Sequence, residues 1–352
     1  MGGSTMTTTQ GGPPRRPSIT DVARRAGVSV GTVSNVLNRP DNVAPATRER
    51  VRSAIADLGF VRNASARQLR AGVIRTVGAV VLDIANPFYT EVVRGIEDRI
   101  SADDYTLLLS ASDEDTAREA RYLRLQEEHG VHGVIISPTQ ASMAPVLAMH
   151  ERGVRIVLLD VPHEPVPVSS VGVDDARGAA LAVNHLLELG HRRIGLVNGP
   201  DTIRPCVARR HGVRAALVAA GLDPQDVLTE VTVGALTMDA GAVGMSRVLA
   251  LPPDRRPTAT FCVNDLMAVG ALGALRRARV PVPSAMAVVG YDDIPIASLV
   301  TVPLTTVHQP THTLGWTAAD LLLRVGTDGT GADPQRVVFQ PELVVRESTA
   351  GG

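Results

Sequence analysis

The chain contains no lysine: all 35 of its basic residues are arginine, which we attribute to GC-rich coding rather than to chemistry. Aromatic residues make up only 3% of its 352 residues, so a core of any size must be built from Val, Leu and Ala. There are two cysteines, Cys206 and Cys262, too few for a disulfide framework and without metal or redox spacing. That usage fits a reducing, cytoplasmic setting. No apolar run approaches the roughly 20 residues that would span a bilayer, so no membrane partner is expected. The first 17 residues, MGGSTMTTTQGGPPRRP, lack the apolar stretch of a secretory signal and are expected to be a disordered tail. No phosphate-cradling GxxxxGK[ST] or GxGxxG follows a strand, which argues against a nucleotide-dependent enzyme.

What is present begins with charge. Residues 15–75 hold 12 Arg against 4 acidic residues, leaving a formal +8 on this block and −9 on the remainder. A basic head on a mildly acidic body suits a polyanion-binding module. Within that block, SITDVARRAGVSVGTVSNVL (18–37) reads as two helices and a tight turn. Ser18 and Asp21 form a capping-box start. Ala23 is small where a second helix must cross, and Gly27 supplies the positive φ that ends the first helix. Ser29 can cap the second, whose Val33, Val36 and Leu37 recur at helical spacing and point inward. Its outward positions are Val30, Gly31, Ser34, Asn35 and Asn38, small and uncharged enough to approach base edges in the major groove. The same residues satisfy G-x-S-x-G, the nucleophile elbow of serine hydrolases. That elbow needs an apolar strand before the serine, and DVARRA is an amphipathic helical stretch. No catalytic residue is expected.

A third helix is predicted over Pro45–Leu58, started by Pro45 and stopped by Gly59. The head is expected to span 18–62, followed by a short helix-prone hinge and linker at 63–72 and by a body over 73–352. In the body, apolar strands alternate with amphipathic helices. One series is TVGAVVL (76–82), TLLLS (106–110), GVIIS (133–137) and RIVLL (155–159). The other is RIGLV (193–197), ATFCV (259–263) and MAVVG (286–290). Such strands imply parallel sheets covered on both faces, here two doubly wound lobes with ligand space at the carboxyl ends of their strands. The link at 160–174 is the expected crossing between them. His308 and His312 are four apart, but Pro310 breaks the helix that would align them, so no metal site is expected.

The ordered landmarks DVARRAGVSVGTVSNVLN (21–38), NASARQL (63–69), NPFY (86–89), LGHRRIGLVNGP (189–200), VGYDDIP (289–295), PLTTV (303–307) and LVVREST (343–349) together resemble the lactose-repressor (LacI/GalR-type) family of bacterial transcription regulators. The resemblance covers about Pro17 to Ala350. It implies a small all-α helix-turn-helix head on an α/β body like that of periplasmic sugar-binding proteins. It also implies pairing as a homodimer on a near-palindromic DNA operator, and a small-molecule effector between the lobes. By this resemblance Val30, Gly31 and Asn35 read bases, Ser18, Ser29, Ser34, Asn38, Asn42 and Thr47 hold the DNA backbone, and Thr32 also belongs to the DNA-binding set. Ala66 falls where paired hinge helices touch, and Leu69 falls at the minor-groove wedge.

The effector positions carried over are Phe88, Tyr89, Asp160, Arg209, Leu236, Asn264 and Asp292. Arg supplies paired donors, and Asp and Asn supply acceptors, a set suited to vicinal hydroxyls. Phe88 and Tyr89 could offer a flat face to a sugar ring. Leu236 departs from the aromatic that many members place there, and Ile203 and Pro205 replace polar positions of purine-responsive relatives. A sugar or polyol is therefore expected rather than a purine, with no other cofactor. The competing expectation is the solute-binding protein of a sugar transporter, which shares the body's fold. The basic head argues against it.

Overall fold

A computed structural model describes residues 17–60, 75–161, 166–324 and 333–350. The chain divides into two compact units at Ile74/Arg75. The hinge expected over 63–72, including Ala66 and Leu69, lies outside the described residues, as do residues 1–16.

The head consists of α1 (Ile19–Ala26), α2 (Val30–Asn38) and α3 (Pro45–Leu58). Its start is a reciprocal capping box: Asp21 N–H donates to Ser18 Oγ at 3.3 Å, and Ser18 N–H donates to Asp21 Oδ2 at 2.9 Å. Gly27 sits at φ 65° and turns the chain. Ser29 then caps α2, its Oγ accepting from Thr32 N–H at 3.0 Å. Val22, Ala23, Ala26, Val33, Val36, Val51 and Ala54 form the core, with Leu37 partly buried against it. Ser29 thus follows a helix and a turn, which is not the strand context a nucleophile elbow requires.

The body runs β1 (Thr76–Val81), α4 (Pro87–Ser101), β2 (Thr106–Ala111), α5 (Thr116–Glu128), β3 (Gly133–Ile136), α6 (Met143–Glu151), β4 (Arg155–Leu159) and β5 (Ser169–Val173). It continues through α7 (Asp175–Glu188), β6 (Ile194–Asn198), α8 (Arg204–Ala219), β7 (Leu228–Thr232), α9 (Met238–Leu249), β8 (Ala259–Cys262), α10 (Asp265–Arg277) and β9 (Ala287–Val289). It ends with β10 (Thr306–His308), α11 (Thr311–Arg324), β11 (Arg336–Phe339) and β12 (Glu342–Val344). One sheet has the order β11-β5-β4-β3-β1-β2 and the other β7-β6-β8-β9, both with parallel neighbours, while β10 and β12 form an antiparallel pair. These are the two doubly wound lobes.

The seven strands read from sequence are present within a residue or two. The structure adds β5, β7, β10, β11 and β12. It also corrects the crossing: part of the expected link at 160–174 is β5, the fifth strand of the first sheet. The chain leaves that lobe only after Val173, returns before α11, and leaves again between β11 and β12. Among the described residues, three segments therefore join the lobes.

A core poor in aromatics is closed by bringing helix backbones together. A Cβ on Gly95 of α4 would collide with the His312 carbonyl of α11, and one on Gly315 of α11 would collide with the Val92 carbonyl of α4. The pair α9–α10 repeats this reciprocity: Gly241 meets the Met267 carbonyl and Gly270 the Met238 carbonyl. Only glycine permits such approach.

Candidate nucleic-acid interface and ligand cleft

On the head, the outward face of α2 carries Val30, Gly31, Asn35 and Asn38, all exposed, with Thr32 and Ser34 partly so. Ser29 Oγ and Thr32 Oγ1 lie 2.9 Å apart, and Asn38 Nδ2 donates to Ser34 Oγ at 3.2 Å. These polar groups bond one another on the exposed face of α2. A Cβ on Gly31 would meet only Ser29 Oγ, at 3.7 Å, so nothing within the head demands glycine there. Asn42 ends the short turn Pro40–Asn42, and Thr47 lies in the first turn of α3. Six of the block's twelve arginines fall within 17–60, together with all four acids, so the positive excess sits mostly in the flanking segments.

In the body, Asp160 follows β4 at φ 58° and Asp292 follows β9 at φ 111°. Both carboxylates are thus held in backbone conformations that L residues rarely adopt, of the kind that gather at functional sites. Arg209, on α8, is 5% exposed. Its Nε donates to Asp175 Oδ1 at 2.8 Å, and its Nη1 donates to the Val263 carbonyl at 2.6 Å and lies 3.6 Å from Asp292 Oδ1. The guanidinium also lies over the Tyr291 ring, 3.6 Å from its centroid. Gln309 Nε2 donates to Asp292 Oδ1 at 2.8 Å. Asn264 caps α10 through Met267 N–H and donates to the Leu236 carbonyl at 3.2 Å. Phe88 and Tyr89 are buried at the start of α4, edge to face at 4.9 Å, so Phe88 turns toward Tyr89.

Next to this cluster is a cavity of about 420 Å³. The first lobe contributes Gln140, Asp160, Val161 and Val173, and α7 contributes Asp175 and Ala176. Across from them α8 presents Arg204, Val207, Ala208 and His211. Of the seven effector positions expected from sequence, Asp160 alone is among the residues lining this cavity. Arg209, Asn264 and Asp292 are brought together beside it, and Leu236 packs over Gly199 and offers only its carbonyl, which accepts from Asn264 Nδ2. Sequence reasoning missed Asp175, Tyr291 and Gln309, and with them the whole outward face of α8. Asp175 directly follows β5, and without that strand its place at a strand end was hidden. His308 and His312 face Asp293 and Asp98 respectively, at 3.1 and 2.9 Å.

Burial and the charge of Asp175 push the Asp160 carboxyl up to about 6, although Ser137 Oγ donates to it at 3.0 Å. Burial carries Asp292 to about 7, with Arg209 opposing and Asp175 reinforcing the rise. Burial would lower Arg209, but Asp175 and Asp292 outweigh it and raise the guanidinium above its ordinary value. Holding Asp160 is therefore most favourable below its unfolded value near 3.8, and that stability is lost as pH rises through about 6. The melting temperature of the wild type relative to Asp160→Asn is expected to fall between about pH 4 and pH 6 and to level off above. A difference independent of pH would refute this.

The family described as bacterial regulatory proteins, lacI family, matches residues 18–63, and the periplasmic binding protein-like domain matches residues 183–349. The chain is 38% identical over 343 residues to the HTH-type transcriptional regulator CelR of Thermobifida fusca, covering 95% of this chain and 98% of that protein. It is 37% identical over 330 residues to the ribose operon repressor of Escherichia coli (strain K12), covering 93% and 98%. It is 33% identical over 339 residues to the HTH-type transcriptional repressor PurR of Aliivibrio fischeri (strain ATCC 700601 / ES114), covering 95% and 98%. Among solved structures, a transcriptional regulator CelR–cellobiose complex matches with a TM-score of 0.69 at 35% identity, covering 95% of this chain and all of that one. The Lac repressor dimer bound to operator and the anti-inducer ONPF matches with a TM-score of 0.77 at 28% identity, covering 95% and 99%. Among the described residues, no helix is long and apolar enough to cross a membrane.

Proposed function

The chain belongs to the lacI family of bacterial regulatory proteins, and from that premise we propose that a sugar or polyol held between its lobes sets how firmly a homodimer grips a near-palindromic operator. It is a helix-turn-helix transcriptional regulator under small-molecule control rather than the binding protein of a transporter. One observation carries the effector reading: Asp160 and Asp292, each just past a strand of a different lobe, gather with Arg209 of α8 beside a 420 Å³ cavity. Carboxylates at that density, with one guanidinium, call for a ligand rich in hydroxyl donors. The cellobiose complex of CelR and the name of the ribose operon repressor support a sugar. Buried Ile203 and the aliphatic Leu236 offer a purine neither stacking nor polar edges, which weighs against the ligand class that PurR's name suggests. The head acts through α2: Val30, Gly31 and Asn35 read bases, while Ser29, Thr32, Ser34 and Asn38 fix the phosphates.

The test is titration of a duplex selected from a random pool, followed by fluorescence anisotropy. Affinity is expected to fall about a thousandfold or more between 50 and 200 mM salt, because releasing counterions into more concentrated salt gains less entropy. One member of a sugar panel is expected to change operator affinity by about 5–150-fold. Binding without sequence preference, or a selected duplex that no sugar affects, would overturn the reading.

A further inference from the structure

The cavity and the expected effector residues are neighbours without being the same place. Phe88, Tyr89, Arg209, Asn264 and Asp292 are buried and none of them lines the cavity, which runs along α8. Asp160 and Asp175 connect the two: both line the cavity, and Asp175 accepts from Arg209 Nε at 2.8 Å. On α8, Arg204, Val207, Ala208 and His211 recur at helical spacing and form one face. Arg204 and His211 are seven residues apart, so the polar ends of that face are separated by about 10 Å along the helix axis. A single sugar ring held at Asp160 is too short to touch both. Between these ends lies an aliphatic stripe, Val207 and Ala208, facing Val161 and Val173 of the first lobe. The chamber is therefore apolar along its walls and polar at its ends, the pattern a saccharide presents through its C–H faces and hydroxyl edges. Its 420 Å³ equals roughly fourteen shares of liquid water, about 30 Å³ each, and because Asp160 lines it, a sugar at Asp160 and the next unit share this space. Its mouth also bridges the lobes, where Gln140 N–H donates to the Thr202 carbonyl at 3.3 Å.

We propose that the effector is a saccharide of at least two units, with one unit read at Asp160 and the next seated in the chamber formed by Gln140, Val161, Val173, Arg204, Val207 and His211. This rests on the sugar reading above. An outer unit touching Gln140 on one lobe and α8 on the other draws the lobes together more strongly than the inner unit alone. Length of the ligand is then what the regulator senses.

Calorimetry against matched pairs, glucose with cellobiose and maltose, galactose with lactose, and xylose with xylobiose, tests it. At least one disaccharide should bind 30-fold or more tighter than its own monosaccharide. Val207→Trp, at an exposed position, should fill the chamber and weaken that disaccharide at least tenfold while leaving the monosaccharide within twofold. His211→Ala should weaken the disaccharide alone by a smaller factor. A monosaccharide binding as tightly as its disaccharide, or a tightest disaccharide indifferent to both variants, overturns the second unit and leaves the sugar reading standing. If no sugar of either length binds, both readings fall.

Discussion

Arg209→Ala is expected to abolish the response to effector while leaving operator binding in place, and to cost the body about 3–5 kcal/mol of stability. The two losses have one origin. Arg209 is the cation against which Asp175 and Asp292 are held, at 2.8 and 3.6 Å, in a site from which water is largely excluded. Removing it leaves two buried carboxylates facing each other. That penalty depends on their ionisation, so it should shrink as pH falls below the value near 7 to which Asp292 is already raised. Adding Asp292→Asn to Arg209→Ala should recover part of the stability without recovering the response. Chemical denaturation at pH 5.5 and 8, paired with operator titrations with and without the active sugar, separates the effects. A variant that keeps its sugar response would remove Arg209 from the cleft.

The second large effect concerns packing. Gly270→Val should lower the stability of the body by about 3 kcal/mol or more, because its side chain would collide with the Met238 carbonyl, and a helix backbone cannot yield as a side chain would. For a unit of this size that is a fall of about 10 °C in melting temperature. The control lies three residues away on the same helix. A Cβ on Gly273 would meet only Arg277 Nη1, at 3.6 Å. Gly273→Ala should therefore be neutral or stabilising by up to about 1 kcal/mol, through reduced freedom of the unfolded chain and better helix propensity. Equal losses at the two positions would mean that α9 and α10 are not held by this contact.

The parts of the molecule legible in sequence are those governed by local rules. Ser18, Gly27, Ser29, Pro45 and Gly59 punctuate the head because caps and turns are decided by a few adjacent residues. The continuous apolar strands β1, β3, β4, β6 and β8 were visible because both faces of each are covered. Two of the strands that escaped, β7 and β11, lie at sheet edges, whereas β5 is interior. LTEVT in β7 and RVVF in β11 are partly exposed and mix polar with apolar residues, so neither shows a clear apolar run. Missing β5 also hid Asp175. In the cleft, Asp160, Arg209 and Asp292 are suggested by family landmarks, and the structure brings them together. Gln140, Arg204, Val207 and His211 belong to no motif. They meet because residue 140 at the end of one sheet is folded against a helix starting at 204, a long-range consequence that no spacing encodes.

Because the polypeptide passes between the lobes after Val173, before Thr311 and after Phe339, neither lobe is a continuous stretch of the gene. No single breakpoint within the body exchanges one lobe whole: a crossover after Val173 would still bring β11 of the first sheet from the other parent. New ligand preferences in such a body must then arise by point changes at strand ends and along α8, whereas the head, encoded in one uninterrupted stretch before Arg75, can be exchanged whole. Operator choice and ligand choice are separable in inheritance even though they are coupled in action.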